Sequence, residues 1–368
     1  MSLIENPFTP SFGEIPVHFA GRKELIVATE RAFESQRRRP ELTTIFSGAR
    51  GTGKTALLSF LAKRAEERGW IAVNVTALPG MLKEIEVGLR NRAAHLIDTS
   101  DKTAVSGIGI PQIIDVHFES QKEPTTWRSR MTDLLEQLDA IHVGLLITVD
   151  EVDPRLDEMI QLAAIYQHFV REERRVALLM AGLPHNISAL LNDKTASFLR
   201  RAQSADLGRI ADYEIEVALR KTIQDGGREA DIEGLDYAVK AIEGFPFMLQ
   251  LVGYHAWDIS PASPCVLRED FRKSVQVSRK ELRSRVFEST LDELSDGDIA
   301  FAEAMLEDKG DSTVADLIER LHKSPSSVSQ HRRRLIDAGI IGERRRGVVG
   351  FDMPFFREFL QKKLAGDR

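Results

Sequence analysis

Apolar positions recur along this chain in two rhythms. Residues 42–46, 70–75, 143–149 and 176–181 are short runs, apolar or β-branched almost throughout, as expected of strands buried on both faces of a parallel sheet. Before and between them, residues 23–36, 55–68, 127–138 and 155–173 place apolar side chains three or four apart, as with Leu57, Leu58, Leu61 and Ala65, which is the helical period. Gly69 closes the second of these helices. Strand, loop, helix and strand in that order predict an α/β fold with a parallel sheet core. After about Tyr213 only the helical rhythm is left: residues 213–225, 234–242 and 246–258 predict a small all-helical lid. A break at 261–264 follows, and residues 271–291 read as a long charged connector helix. From Ser295 come three helical patterns, a glycine-bounded pair of β-type runs and a last helix, the order of a winged helix-turn-helix.

Two stretches fit neither rhythm. The first 20 residues are rich in Pro and Phe and read as an extended arm. Residues 98–124, with their alternating Ile-Gly-Ile-Pro-Gln-Ile-Ile segment, read as a β-hairpin or insertion. The expected division is therefore an arm at 1–20, a phosphate-loop domain at 21–212, a helical lid at 213–285 and a winged helix at 286–368. No fixed-period repeat and no low-complexity segment is visible.

Composition narrows the classes. A chain of 368 residues with 42% hydrophobic and 29% charged residues suits a soluble protein of two or three domains. The formal net charge of -6 confines any nucleic-acid surface to a local patch. The single cysteine, Cys265, excludes an internal disulfide framework and a cysteine-only metal site. The start lacks a basic stretch followed by an apolar one, and no apolar run approaches the ~18 residues of a membrane span. The expected location is the cytoplasm, with no membrane partner.

The chemistry begins between the first strand and the helix after it. Gly48, Ala49, Arg50, Gly51, Thr52, Gly53, Lys54 and Thr55 satisfy G-x-x-x-x-G-K-[ST], the phosphate-binding loop. Glycines let the backbone curl so that successive N–H groups face phosphate oxygens, and the helix that starts there, through Ala56, adds its positive end. Lys54 supplies a point charge for the outer phosphates, and the Thr55 hydroxyl is a magnesium ligand. The apolar run 145–149 ends in Asp150 and Glu151, at the strand end where ligands of open α/β sheets bind. Asp150 is expected to hold Mg2+ through water, and Glu151 to act as general base for the attacking water. Asp153 reads as a helix N-cap. ATP and Mg2+ are the expected cofactors.

The loop, the Asp150-Glu151-Val152-Asp153 ending and the upstream Phe19-Ala20-Gly21-Arg22-Lys23-Glu24-Leu25 segment resemble AAA+ ATPases of the archaeal replication-initiator type. They are equally similar to the signal-transducing STAND and archaeal-type ATPases. The resemblance spans about residues 15–365. It implies that Pro16, Phe19 and Arg22 lie near the adenine, although by chemistry alone Phe19 suits a core and Arg22 a solvated surface. It also implies that an arginine near Arg200-Arg201, with Arg201 the candidate, reaches the γ-phosphate of a neighbouring subunit, although by chemistry alone the two suit a helix-surface pair equally well. Tyr213 is expected in a core, with adenine packing the other use. Two departures stand out. After the 176–181 strand the polar sensor of the initiators is replaced by Ala181-Gly182-Leu183-Pro184. Where initiators carry a lid arginine, this chain has Gly244-Phe245-Pro246, which resembles the STAND lid motif and marks Pro246 as a nucleotide contact. Both imply slow hydrolysis and a switch-like use of ATP.

The C-terminal module carries the local charge. Lys323, Arg332, Arg333, Arg334, Arg344, Arg345 and Arg346 stand against only Asp337 and Glu343 over residues 323–346. Residues 326–337 are the recognition-helix candidate, with Val328 and Leu335 inward and Ser327, Gln330, Arg332, Arg333 and Arg334 toward DNA. Arg344, Arg345 and Arg346 form the wing tip. His331 is read as a bystander. The first expectation is an ATP-dependent switch that binds double-stranded DNA. The second is a STAND-like signalling or scaffold ATPase whose winged helix binds protein or a second copy of the chain. A metabolic kinase is disfavoured, because no small-substrate site is recognisable.

Overall fold

The computed structural model describes residues 5–11, 13–100 and 126–366. The chain opens with an arm that leads into helix α1 (Lys23–Glu34), strand β1 (Thr43–Ser47), α2 (Lys54–Glu66), β2 (Trp70–Thr76) and α3 (Met81–Ser100). It continues through α4 (Trp127–Ala140), β3 (Gly144–Asp150), α5 (Asp157–Arg171), β4 (Val176–Gly182), α6 (Pro184–Asn192) and β5 (Gln203–Asp206). The five strands are all parallel, in the order β2-β3-β4-β1-β5. The expected α/β phosphate-loop core is what the chain forms.

Alternation along each strand divides the core. Leu145, Ile147 and Val149 of β3 pack with α3, α4, α5 and α6, whereas Leu146 packs with Phe33 of α1 and Leu57, Leu58 and Leu61 of α2. Successive side chains of a strand point to opposite faces, so helices cover the sheet on both sides, and β4 is buried at every position. The expected hairpin at 98–124 lies outside the described residues, apart from the end of α3.

Beyond β5 come α7 (Asp212–Asp225), β6 (Glu229–Ala230), α8 (Ile232–Ile242), α9 (Pro246–Ile259), β7 (Cys265–Val266) and α10 (Arg268–Leu282). The lid is not purely helical: β6 and β7 pair in parallel, in two-residue strands too short to leave a periodic signal. The arm straps this bundle. Phe8 is buried against Gly253, where a Cβ would overlap its ring, and the Thr9 N–H donates to Gln250 Oε1 at 3.0 Å. Tyr213 is 69% exposed on α7, correcting the expectation that it packs in a core or on a base.

The connector is helical but not uniformly α: a π-helical stretch at Arg283–Glu288 joins α10 to α11 (Ser289–Asp292). The C-terminal module contains α12 (Asp296–Ala304), β8 (Ser312–Thr313), α13 (Val314–Leu321), α14 (Pro325–Asp337), β9 (Ile341–Arg345), β10 (Val348–Phe351) and α15 (Phe356–Leu364). Strands β8, β10 and β9 form an antiparallel sheet, so the module is a winged helix with a short third strand. Ser324 caps α14 and Pro325 occupies its first turn, a favoured start. His331 is no bystander, since its Nδ1 lies 2.7 Å from Asp298 Oδ1 and ties α14 to α12.

One hydrophobic cluster runs without interruption from the lid into the winged helix, including Leu219, Trp257, Phe287, Phe301 and Leu335. The winged helix also touches the sheet domain. His185 Nε2 of α6 is 3.5 Å from Asp337 Oδ1 of α14, and Leu183 packs against Gly339. Among the described residues no helix is long and apolar enough to cross a membrane.

Candidate nucleotide site

The phosphate loop joins the end of β1 to the start of α2 and needs backbone that side chains disfavour. Gly51 and Gly53 have φ of 78° and 85°, the left-handed region that glycine enters without Cβ strain. A Cβ at Gly48 would lie 2.7 Å from Thr52 Oγ1. Thr52 Oγ1 closes the turn by donating to the Ala49 carbonyl at 2.9 Å. Lys54 is 6% exposed and folds back into the loop, its Nζ donating to the carbonyls of Gly48 at 2.9 Å and Ala49 at 3.0 Å. Burial lowers its pKa, and the nearby Glu151 and Asp150 partly offset that. A buried cation held on loop carbonyls at the start of a helix suits an anion.

The second half of the site comes from β3. Thr55 Oγ1 donates to Asp150 Oδ2 at 2.6 Å, and the Glu151 N–H donates to Asp150 Oδ1 at 2.9 Å. This joins the helix start to the strand end at the pair of oxygens a magnesium ion would use. Glu151 has φ of 51°, uncommon for a side-chain-bearing residue and of the kind found at working sites. That turn sends Glu151 into the cavity beside the loop. At the end of β4, Gly182 packs on Val152 and Ile187. Asp153 accepts from the Arg155 N–H at 2.9 Å and pairs with its guanidinium, so it caps the turn before α5 and not the helix, whose N-cap is Leu156.

The cavity measures about 700 Å³. Its walls bring together Arg50, Gly51, Thr52, Gly53, Lys54, Thr55 and Ala56 with Glu151 and with Pro16, Phe19, Arg22 and Pro246. Gly48 and Ala49 contribute through their carbonyls, and Asp150 through Thr55. Phe19 also packs on Phe60, ring centroids 4.8 Å apart. Arg22 donates to the Gly208 carbonyl at 2.7 Å; burial lowers its pKa, against the pull of Glu214 and Asp206. Arg201 does not line this cavity. It sits exposed on the 3-10 turn Ser197–Arg201.

Part of one wall and all of another escaped sequence reasoning. Arm residues such as Thr9 and Glu14 close one side, and Arg285, Ser289 and Thr290 of the connector close another. The Pro- and Phe-rich start was a signal for the first. The second had none, because a charged amphipathic helix looks alike whichever pocket it faces.

The lid rests directly on the loop. Phe245 is 2% exposed, and a Cβ at Gly51 would lie 2.8 Å from its Cε2. Gly244, with φ of 72°, allows the close approach to Ile210 that sets this turn, and its carbonyl accepts from the Ile210 N–H at 2.9 Å. Phe355, immediately before α15, meets Phe245 at 6.1 Å between centroids.

On the winged helix, Val328 and Leu335 are buried, while Gln330, Arg333, Arg334, Arg345 and Arg346 are exposed. Ser327 and Arg332 are half-buried. Arg344 is engaged within the module, donating to Asp352 Oδ1 at 2.6 Å and to the Phe351 carbonyl at 3.0 Å.

A parallel sheet in the order β2-β3-β4-β1-β5, with the loop at β1 and the carboxylates at β3, followed by a lid and a winged helix, is a P-loop α/β fold similar to that of solved Walker-type ATPases. Solved structures agree. The Walker-type ATPase PABY2304 of Pyrococcus abyssi is similar with a TM-score of 0.64 at 13% identity, over 93% of this chain and 96% of that one. The Aeropyrum pernix ORC2 protein in its ADP form gives 0.56 at 15% identity, over 97% of each chain. Cdc6p from Pyrobaculum aerophilum gives 0.50 at 15% identity, again over 97% of each. Residues 284–360 match the family described as a domain of unknown function, DUF8462. No curated protein matches the chain.

Proposed function

We propose that this chain binds ATP with Mg2+ in the cavity between loop, arm and lid, hydrolyses it slowly, and uses its nucleotide state to set a winged helix that binds double-stranded DNA in the cytoplasm. The observation that carries the reading is the bond from Thr55 to Asp150 beneath a left-handed glycine loop whose lysine is buried and aimed inward. Thr55 and Asp150 would hold the magnesium ion, which would supply positive charge to offset that of the phosphates. Loop amides and Lys54 bind and orient the phosphates. Glu151, turned into the cavity, takes the proton of the attacking water. The apolar end of β4 offers no second group to orient that water, which supports slow turnover.

Coupling to the winged helix is supported by the contacts that link Gly51 to Phe245 and Phe245 to Phe355. DNA binding is supported by the exposed arginines of α14 and the wing, whose cations suit phosphate contacts. The test of the site is Lys54→Ala, measured by calorimetric titration with ATP and ADP. The expected result is loss of binding; full affinity in that variant would refute the site.

A second reading is favoured by two observations. Phe245 and Pro246 press on the loop as a lid would in a signalling or scaffold ATPase, and Arg344 is already paired within its own module. On that reading the winged helix binds protein or a second copy of the chain. Nucleotide-dependent self-association without DNA affinity would decide for it. Arg201, exposed and away from its own cavity, is then the candidate to reach a neighbouring subunit's nucleotide.

A further inference from the structure

Among the described residues, helix α9 of the lid brings no cation to the cavity. Pro246, Phe247, Leu249 and Gln250 are its contributions, all uncharged. Of the cavity's guanidinium and ammonium groups among the described residues, Arg22, Arg50 and Lys54 come from the arm and sheet side, and Arg285 comes from the connector that follows α10 at the end of the lid. It lies in the π-helical stretch that joins the lid to the winged helix. Ser289, one turn on, lines the same cavity. One further turn along, Glu293 Oε2 is 3.7 Å from Arg50 Nη1 of the phosphate loop itself. Residues about four apart share a helical face, so the face carrying Arg285, Ser289 and Glu293 is turned toward the loop.

Arg285 is held without being consumed. Its Nη2 lies 2.8 Å from Glu281 Oε1, and the other oxygen of Glu281 is 2.6 Å from His255 Nε2 of α9. The side chain is 56% exposed. A guanidinium resting on a carboxylate that a histidine also engages is oriented, yet free to exchange that partner for an anion of higher charge. Arginine suits this role because its planar fork matches phosphate oxygens and it stays charged.

We propose that Arg285 is a phosphate-contacting residue of the nucleotide site, supplied in cis by the connector in place of a lid cation. Binding the polyphosphate then draws the connector onto the loop and couples site occupancy to the winged helix. The inference rests on the reading of the cavity as a nucleotide site.

The experiment measures ATP affinity by titration calorimetry for the full chain and its Arg285→Ala, Arg285→Lys and Lys54→Ala variants, at two salt concentrations. Arg285→Ala is expected to weaken ATP by about tenfold to a hundredfold, the effect of one lost hydrogen-bonded charge contact. Arg285→Lys should keep most of the affinity, and the salt dependence should be shallower in Arg285→Ala than in the unmodified chain. Unliganded melting temperatures should agree among the Arg285 variants. If Lys54→Ala abolishes binding while Arg285→Ala leaves it unchanged, this inference fails and the nucleotide site stands. Equal loss in Arg285→Ala and Arg285→Lys overturns it too, because the effect would then be packing. Undiminished binding in Lys54→Ala would remove the site itself.

Discussion

The contact between Gly51 and Phe245 makes a quantitative prediction. Gly51 sits at φ of 78°, so alanine there incurs left-handed strain of roughly 1–2 kcal/mol. The new Cβ would also stand 2.8 Å from Phe245 Cε2. Ordinary carbon contacts are ~3.5–4.0 Å and Phe245 Cζ would be closer still, so the ring must retreat by more than about 1 Å. Phe245→Ala alone removes a ring that is 2% exposed, a loss of about 3–5 kcal/mol. In the double variant the strain of Gly51→Ala persists but its clash has no target. The two changes should therefore couple, the double variant being more stable than the sum of the singles by about 0.5–3 kcal/mol. Urea unfolding followed by tryptophan fluorescence measures this, with Trp257 reporting on the lid core. Strict additivity, within about 0.3–0.5 kcal/mol, would refute the claim that the lid seats on the loop.

Other outcomes follow from single groups. Glu151→Gln should leave ATP affinity in place and lower turnover by about 10²–10⁴-fold, read by phosphate release; unchanged turnover would remove Glu151 as the base. Asp308 should make the winged helix acid-sensitive. Hydrogen bonds from Arg320, then Ser312, bring its pKa down to about 2. A carboxylate depressed in the folded state stabilises above its unfolded pKa, and that contribution fades as pH falls from about 4 toward 2. Asp308→Asn should lower the melting temperature at neutral pH and flatten that acid limb; a variant with the same pH profile as the unmodified chain would contradict the assignment.

The sheet and the loop were readable in the sequence because both are local. Strands buried on two faces give uninterrupted apolar runs, as in β3 and β4, and the phosphate loop is eight contiguous residues whose roles depend on neighbours in the chain. What could not be read depends on distance. The strands β6, β7 and β8 are two residues long and leave no period. Whether Tyr213 faced a core or solvent turned on how α7 meets the rest of the lid, and it faces solvent. His331 and Arg344 looked like free side chains on a basic surface, but their partners, Asp298, Asp311 and Asp352, come from other elements. The walls at Thr9, Glu14 and Arg285 arise because the arm and connector converge on one cavity from opposite ends of the chain.

The central claim is that nucleotide state governs DNA affinity, and duplex DNA binding measured with ATP, with ADP and without nucleotide, each over a salt titration, tests it most directly. Affinities should differ by about 5–150-fold between nucleotide states. The log–log salt slope should be about −0.9 for each phosphate contacted, shallower when Arg345 and Arg346 are replaced by alanine. Equal affinity in all three states, or binding insensitive to salt, would contradict the claim.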